Sequence, residues 1–266
     1  MARKTSSGDG VGMYKFRDLL LWGTAVNHDV LHACPFIAEL DICMDLSKFD
    51  FTALRSLKYL KSVYFQNDFF VERYDFLRSI LPYLTEKGSQ LEKLTLCGII
   101  KVDLLAVGYH CKNLKTLYVQ GTNLQEEPER QVSFPSRNER QNMFKSLVKL
   151  ELLYEEEGPF SEHMHTLPLV LSSCTNLQIL KLSYMFGLET HHLLEVYQNN
   201  PLVKLETVRI QNCGGVTAEA IAPLLQDENE LKKLEVLDCR NISRQDFESM
   251  QRVTRKSCFD IDIGWS

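Results

Sequence analysis

The residues with the strongest claim to chemistry are four histidines in two pairs, His163 and His165, then His191 and His192. They fall at similar offsets in successive segments of the chain. In an array of like segments, three of these imidazoles would lie side by side, and three imidazoles can hold zinc. No H-E-x-x-H pattern accompanies them, however, and surface or helix-capping roles account for them more simply, so no metal or other cofactor is expected. Nucleophilic catalysis finds no support either. There is no G-x-S-x-G, and none of the eight cysteines (34, 43, 97, 111, 174, 213, 239 and 258) sits in a C-x-x-C pair or a catalytic signature. Phosphate-cradling loops of the Walker or G-x-G-x-x-G type are also missing. The chain is not expected to be an enzyme.

What remains is the chemistry of recognition. Aromatic side chains and arginine dominate the energetic centres of protein interfaces, and Trp22, Tyr64, Tyr118, Lys181, Arg209 and Arg240 are the candidates. Their meaning depends on the elements that carry them. The clearest such element is Leu205–Leu225, where Leu205, Val208 and Ile210 follow the spacing L-x-x-L-x-L and Cys213 lies eight residues after the first. Gly214 and Gly215 permit a tight turn, and Thr217 is placed to cap a short helix. Ala218, Ile221, Leu224 and Leu225 recur at helical spacing, with Pro223 expected to shorten or bend the helix. A unit of strand, turn and short helix cannot bury its own apolar faces. It needs copies on both sides.

The copies are present. The triplet recurs as Phe16/Leu19/Leu21, Ile37/Leu40/Ile42, Leu60/Val63/Phe65, Leu91/Leu94/Leu96 and Leu114/Leu117/Val119. It continues as Leu147/Leu150/Leu152 and Leu177/Leu180/Leu182, then, past Leu205, as Leu234/Leu237/Cys239 and Cys258/Ile261/Ile263. Ten parallel strands are therefore expected, with helices between them capped by residues such as Asn27, Asp103 and Ser243. Cys34, Cys111 and Cys174 each precede a strand's first apolar residue by three, the behaviour of a small buried hydrophobe in a repeat.

CKNLKTLYVQGTNL (111–124), CTNLQILKLS (174–183) and LETVRIQNCGGVTAEAI (205–221) resemble cysteine-containing leucine-rich repeats. Such repeats are typical of F-box/leucine-rich-repeat proteins, substrate receptors of cullin-based ubiquitin ligases of the SCF type. The resemblance spans about 16–263. It implies an α/β leucine-rich-repeat solenoid, a horseshoe with about ten parallel strands on the concave face and short helices on the convex face. It also implies a protein partner on the concave face and substrate recognition for ubiquitination; the alternative is a scaffold or assembly factor unrelated to ubiquitin. No segment resembles the F-box itself. A ubiquitin-ligase adaptor is thus a partner only of a longer form, and the chain is expected to be a part or short isoform of one.

The rest of the sequence bounds this reading. A net charge of −5 and a pI near 5.8 give no electrostatic case for nucleic acid or an anionic membrane. No run is apolar enough for a transmembrane helix, and the start, MARKTSSGDGVGM, lacks the apolar core of a secretory signal. Unpaired cysteines fit a cytoplasmic or nuclear location. Residues 1–15 are expected to be a disordered end, 16–266 the repeat domain, with a charged surface loop at about 123–144. On the concave face, Arg209 and Arg240 are expected on adjacent strands near Lys181. They would form a small basic patch for an acidic or phosphorylated segment, unless Asp238 and Asp262 neutralise it.

Overall fold

A computed structural model describes residues 14–23, 28–67, 74–121, 143–154, 166–226, 229–256 and 262–265; for 28, 255, 256 and 262–265 it describes the backbone alone. Residues 1–13 and 122–142, Asn27, His163, His165 and Cys258 lie outside these.

In chain order the strands are β1 (Asp18–Trp22), β2 (Glu39–Met44), β3 (Ser62–Asn67), β4 (Tyr74–Asp75), β5 (Lys93–Cys97) and β6 (Ile99–Ile100). They continue as β7 (Thr116–Gly121), β8 (Lys149–Tyr154), β9 (Ile179–Ser183), β10 (Thr207–Gln211), β11 (Lys233–Leu237) and β12 (Asp262–Trp265). All but β4 and β6 join one parallel ten-stranded sheet in sequence order, and β4 and β6 pair separately. The helices are α1 (His28–Ala33), α2 (Phe76–Lys87), α3 (Leu104–His110), α4 (Thr166–Ser173), α5 (Thr190–Asn199), α6 (Ala218–Ile221) and α7 (Arg244–Lys256). Parallel neighbours require a crossover, and here each crossover returns the chain by one strand spacing.

Register follows the apolar positions. Leu40 pairs with Val63, Val63 with Leu94, Leu94 with Leu117, Leu117 with Leu150, Leu150 with Leu180 and Leu180 with Val208. All are buried between sheet and helices. The helix starts are fixed by side chains. Asp103 accepts from the Ala106 amide at 2.9 Å, Asp75 from Leu77 at 2.9 Å, and Ser243 and Asp246 bond reciprocally ahead of α7. Thr217 stands before α6 but caps nothing with its hydroxyl. That group lies 2.8 Å from the Thr190 hydroxyl and links adjacent repeats. Helix α6 is a single turn, continued as a 3-10 stretch, Ala222–Leu225, that accommodates Pro223.

The last two strands differ from expectation. Val208 pairs with Leu234, not Leu237, so the triplet of β11 is Leu231/Leu234/Val236. Leu237 is half-buried at the strand's end, whereas Leu234 and Val236 are fully buried. The stretch LKKLEVLDC satisfies the apolar spacing twice, three residues apart. The turn decides between them: counted from Leu231, Cys239 falls eighth, as Cys213 does from Leu205. The two thiols then sit alike, Cys213 3.3 Å from the Gln211 carbonyl and 3.8 Å from that of Leu182, Cys239 3.4 Å from the Leu237 carbonyl and 3.6 Å from that of Ile210. In both turns the preceding residue is left-handed, Asn212 at φ 51° and Asp238 at φ 53°, a conformation these short polar residues tolerate. In β12 the partners of Leu234 and Val236 are Ile263 and Trp265, so that triplet also shifts, by two residues from Ile261/Ile263. At the other end, Phe16 is exposed and stacks on Tyr14, with ring centroids 5.6 Å apart.

Candidate protein-interaction surface

Strand alternation turns every second side chain away from the helices, and in-register pairing lines these residues up across the sheet. One row runs Leu20, Asp41, Tyr64, Thr95, Tyr118, Glu151, Lys181, Arg209, Glu235. A second, two residues on, includes Trp22, Cys43, Gln66, Cys97 and Gln120.

At its middle the face is nearly symmetric about β5. Thr95 lies between Tyr64 and Tyr118, and Cys97 between Gln66 and Gln120. The Tyr64 hydroxyl donates to Gln66 Oε1 at 2.6 Å, and the Tyr118 hydroxyl to Gln120 Oε1 at 2.9 Å. Thr95 and Cys97 point outward yet are buried, because the larger side chains on both flanking strands close over them. Burial pushes the Tyr64 phenol above its ordinary range, and the neighbouring thiols of Cys97 and Cys43 and the Asp41 carboxylate add to the shift. The phenol therefore stays a donor. Both tyrosines are half-buried, held by hydrogen bonds within their own strands, and present rigid amphipathic rings.

Towards β11 the face is charged, but its charges are matched. Glu151 lies 2.7 Å from Lys181 and 3.0 Å from Lys149, and Glu235 lies 2.8 Å from Arg209 and 3.1 Å from Lys233. Burial raises the Glu151 pKa, but the two lysines outweigh it and hold the carboxyl below its usual range. Arg209 does the same for Glu235.

The expected basic patch is therefore absent in that form. Lys181 and Arg209 sit on the row but are each turned onto a carboxylate of an adjacent strand. Arg240 is not on a strand; it lies exposed in the turn after β11, with its guanidinium packed against Gly214. Asp238, expected on the row, is in the same turn, and Glu235 takes its place, as Gly264 takes that of Asp262. The three-residue slip of β11 accounts for Arg240, Asp238 and Glu235, and the two-residue shift of β12 for Gly264. Trp22 is where the pattern put it, at the outward end of β1 and 84% exposed.

Alternation extended one step earlier on each strand gives a row that begins Asp18, Glu39. With Asp41 these are three exposed carboxylates, and none has an ion-pair partner among the described residues. No motif marks them in the sequence, although the period-2 rule reaches them.

Neither histidine of the described pair faces this surface. His192 is buried and its Nδ1 accepts from the Glu189 amide at 3.1 Å, while His191 Nδ1 lies 3.1 Å from a Glu189 carboxylate oxygen. Among the described residues no three His, Cys, Asp or Glu side chains are grouped to hold a metal, and no helix is long and apolar enough to cross a membrane.

The parallel ladder, its constant register and the helices packed on one side define the class: an α/β leucine-rich-repeat solenoid, with the strands on the concave face. No protein-family model matches the chain, and no curated protein does. Distant likenesses occur among solved structures. A chain of the Rad7–Elc1 complex of yeast shares 13% identity over 85% of this chain and 70% of its own, with a TM-score of 0.38. A Bacteroides fragilis protein shares 16% over 87% and 66%, at 0.38, and a leucine-rich-repeat protein of Leptospira interrogans 12% over 90% and 81%, at 0.31.

Proposed function

We propose that the chain is a non-catalytic protein-interaction module that grips its partner on the concave face of the sheet. The observation that carries this is the band Tyr64–Thr95–Tyr118 with Gln66 and Gln120 beside it. It spans three strands, with both rings half-exposed. Such a band offers large ring area at low conformational entropy, with polar tips to fix orientation.

The finer reading is substrate recognition for a cullin-based ubiquitin ligase, as part or isoform of an F-box/leucine-rich-repeat protein. Its support is the resemblance of 111–124, 174–183 and 205–221 to cysteine-containing repeats, together with the matching thiol bonds of Cys213 and Cys239. Adaptor binding belongs to a form that carries an F-box. A cytoplasmic or nuclear setting, where thiols stay reduced, suits the seven described cysteines, none of which is in a disulfide. The acidic balance favours protein over nucleic acid or membrane as the partner.

The test is capture of the native protein with cross-linking and intact-mass measurement, alongside a Tyr64→Ala/Tyr118→Ala variant. Cross-links to the strand rows and loss of the partner in the variant are expected. A heavier form carrying a cullin and its adaptor supports the ligase reading, and partners without a cullin support a scaffold. Cross-links confined to the helices, with binding unchanged in the variant, would overturn the concave-face reading.

A further inference from the structure

The concave face is electrically lopsided. From β8 to β11 its carboxylates, Glu151 and Glu235, are each held by two cations. From β1 to β3 its outward residues include Asp18, Glu39 and Asp41 and no cation. Register sets Asp18 beside Glu39 and Leu20 beside Asp41. Arg17, the closest cation in sequence, is exposed and one residue out of phase with the rows. In the same corner Trp22 is 84% and Leu20 58% exposed.

Two unfavourable terms therefore meet at one place. Large apolar side chains face water, and like charges stand on adjacent strands about 4.8 Å apart with no cation paired to them among the described residues. One kind of occupant relieves both. We propose that the β1–β3 end of the concave face binds a protein segment that carries lysine or arginine around an apolar anchor. The anchor packs on Trp22 and Leu20, and the cations lie over Asp18, Glu39 and Asp41. This rests on the reading of the concave face as a protein-binding surface and gives the chemistry of its partner. An acidic or phosphorylated segment has no such place here, since it would meet uncompensated carboxylates at this end and cations already paired at the other.

The experiment is selection of a displayed library of random peptides on the purified full chain. It is repeated on Trp22→Ala and on Glu39→Lys/Asp41→Lys. All three substituted residues are exposed, so the fold persists, and circular dichroism checks it. Recovered peptides are expected to combine Lys or Arg with an aliphatic or aromatic residue and to weaken in raised salt. They should lose about tenfold or more in affinity to each variant. Acidic or neutral peptides, peptides indifferent to both variants, or no enrichment at all would overturn the inference. If enriched peptides depend instead on Tyr118 or Lys181, the concave-face reading stands while this assignment falls.

Discussion

Arg209 on β10 and Glu235 on β11 are joined Nε to Oε2 at 2.8 Å, so the arginine's charge is directed along the sheet and not out of it. Glu235 also holds Lys233, and its carboxyl is kept below the ordinary 4.5 chiefly by Arg209. A carboxyl whose folded pKa is depressed contributes stability that is complete above its unfolded pKa and lost as pH falls through the folded one. Glu235→Gln should therefore lower stability by up to about 1 kcal/mol at neutral pH, a partly exposed pair being worth no more. The difference from the parent should close as pH drops below 4.5, which thermal melts across that range would show.

Glu92 is another such carboxylate. It lies between Lys115 and Lys61 at the rim of the sheet, and these two bring its pKa to about 2. A carbon-detected NMR titration should find it ionised well below the ordinary 4.5. Lys115→Met should move it part of the way back towards 4.5. Titration of Glu92 at 4.5 in the parent would contradict the geometry.

The register of β11 can be read from stability. Leu234 is fully buried and Leu237 half-buried at the strand's end. Leu234→Ala should cost about 2–5 kcal/mol, and Leu237→Ala about 1 kcal/mol or less. Denaturant melts of the two variants distinguish the observed pairing from the three-residue slip, in which Leu237 would be the costlier position.

Gly108 sits inside α3, where alanine normally helps. A Cβ there would meet the Phe144 ring at 2.5 Å, and Phe144 is fully buried. Overpacking of about 1–3 kcal/mol should exceed the helix gain of about 1 kcal/mol. Gly108→Ala is expected to lower the melting temperature. A rise would mean that Phe144 yields easily.

Thiol reactivity follows burial. Cys111 and Cys213 are pushed up to about 12 by loss of solvent, and both are buried. Cys43 is half-exposed on the concave face. Only the thiolate attacks, and it must be reachable. Alkylation of the native protein followed by peptide mapping should modify Cys43 well before Cys111 or Cys213, and a partner bound over β1–β3 should protect it.

Much of this architecture is written in the sequence, because each repeat states its own strand. Leu–x–x–Leu–x–Leu leaves one apolar face, and a unit that cannot bury that face alone must stack. The pairing of Leu94 with Val63 and Leu117 follows from nothing more. The period-2 rule also placed Trp22, Tyr64, Tyr118, Lys181 and Arg209 on the outward rows. It failed where apolar residues were too many: 231, 234, 236, 237 and 239 fit two triplets, and the triplet spacing alone does not rank them; the offset of eight from Leu231 to Cys239, the same as from Leu205 to Cys213, does.

The packed sheet adopts that choice, which places both thiols near the previous strand's carbonyls. That choice moved Arg240 into a turn and put Glu235 beside Arg209. Charge pairing across strands is a property of register, and a single chain segment does not contain it. The sequence by itself determined that there would be a ladder of strands and, as far as β10, which side chains would face away from the core. Only the packed sheet decided which of those side chains neutralise one another and which carboxylates, at Asp18, Glu39 and Asp41, are left facing solvent.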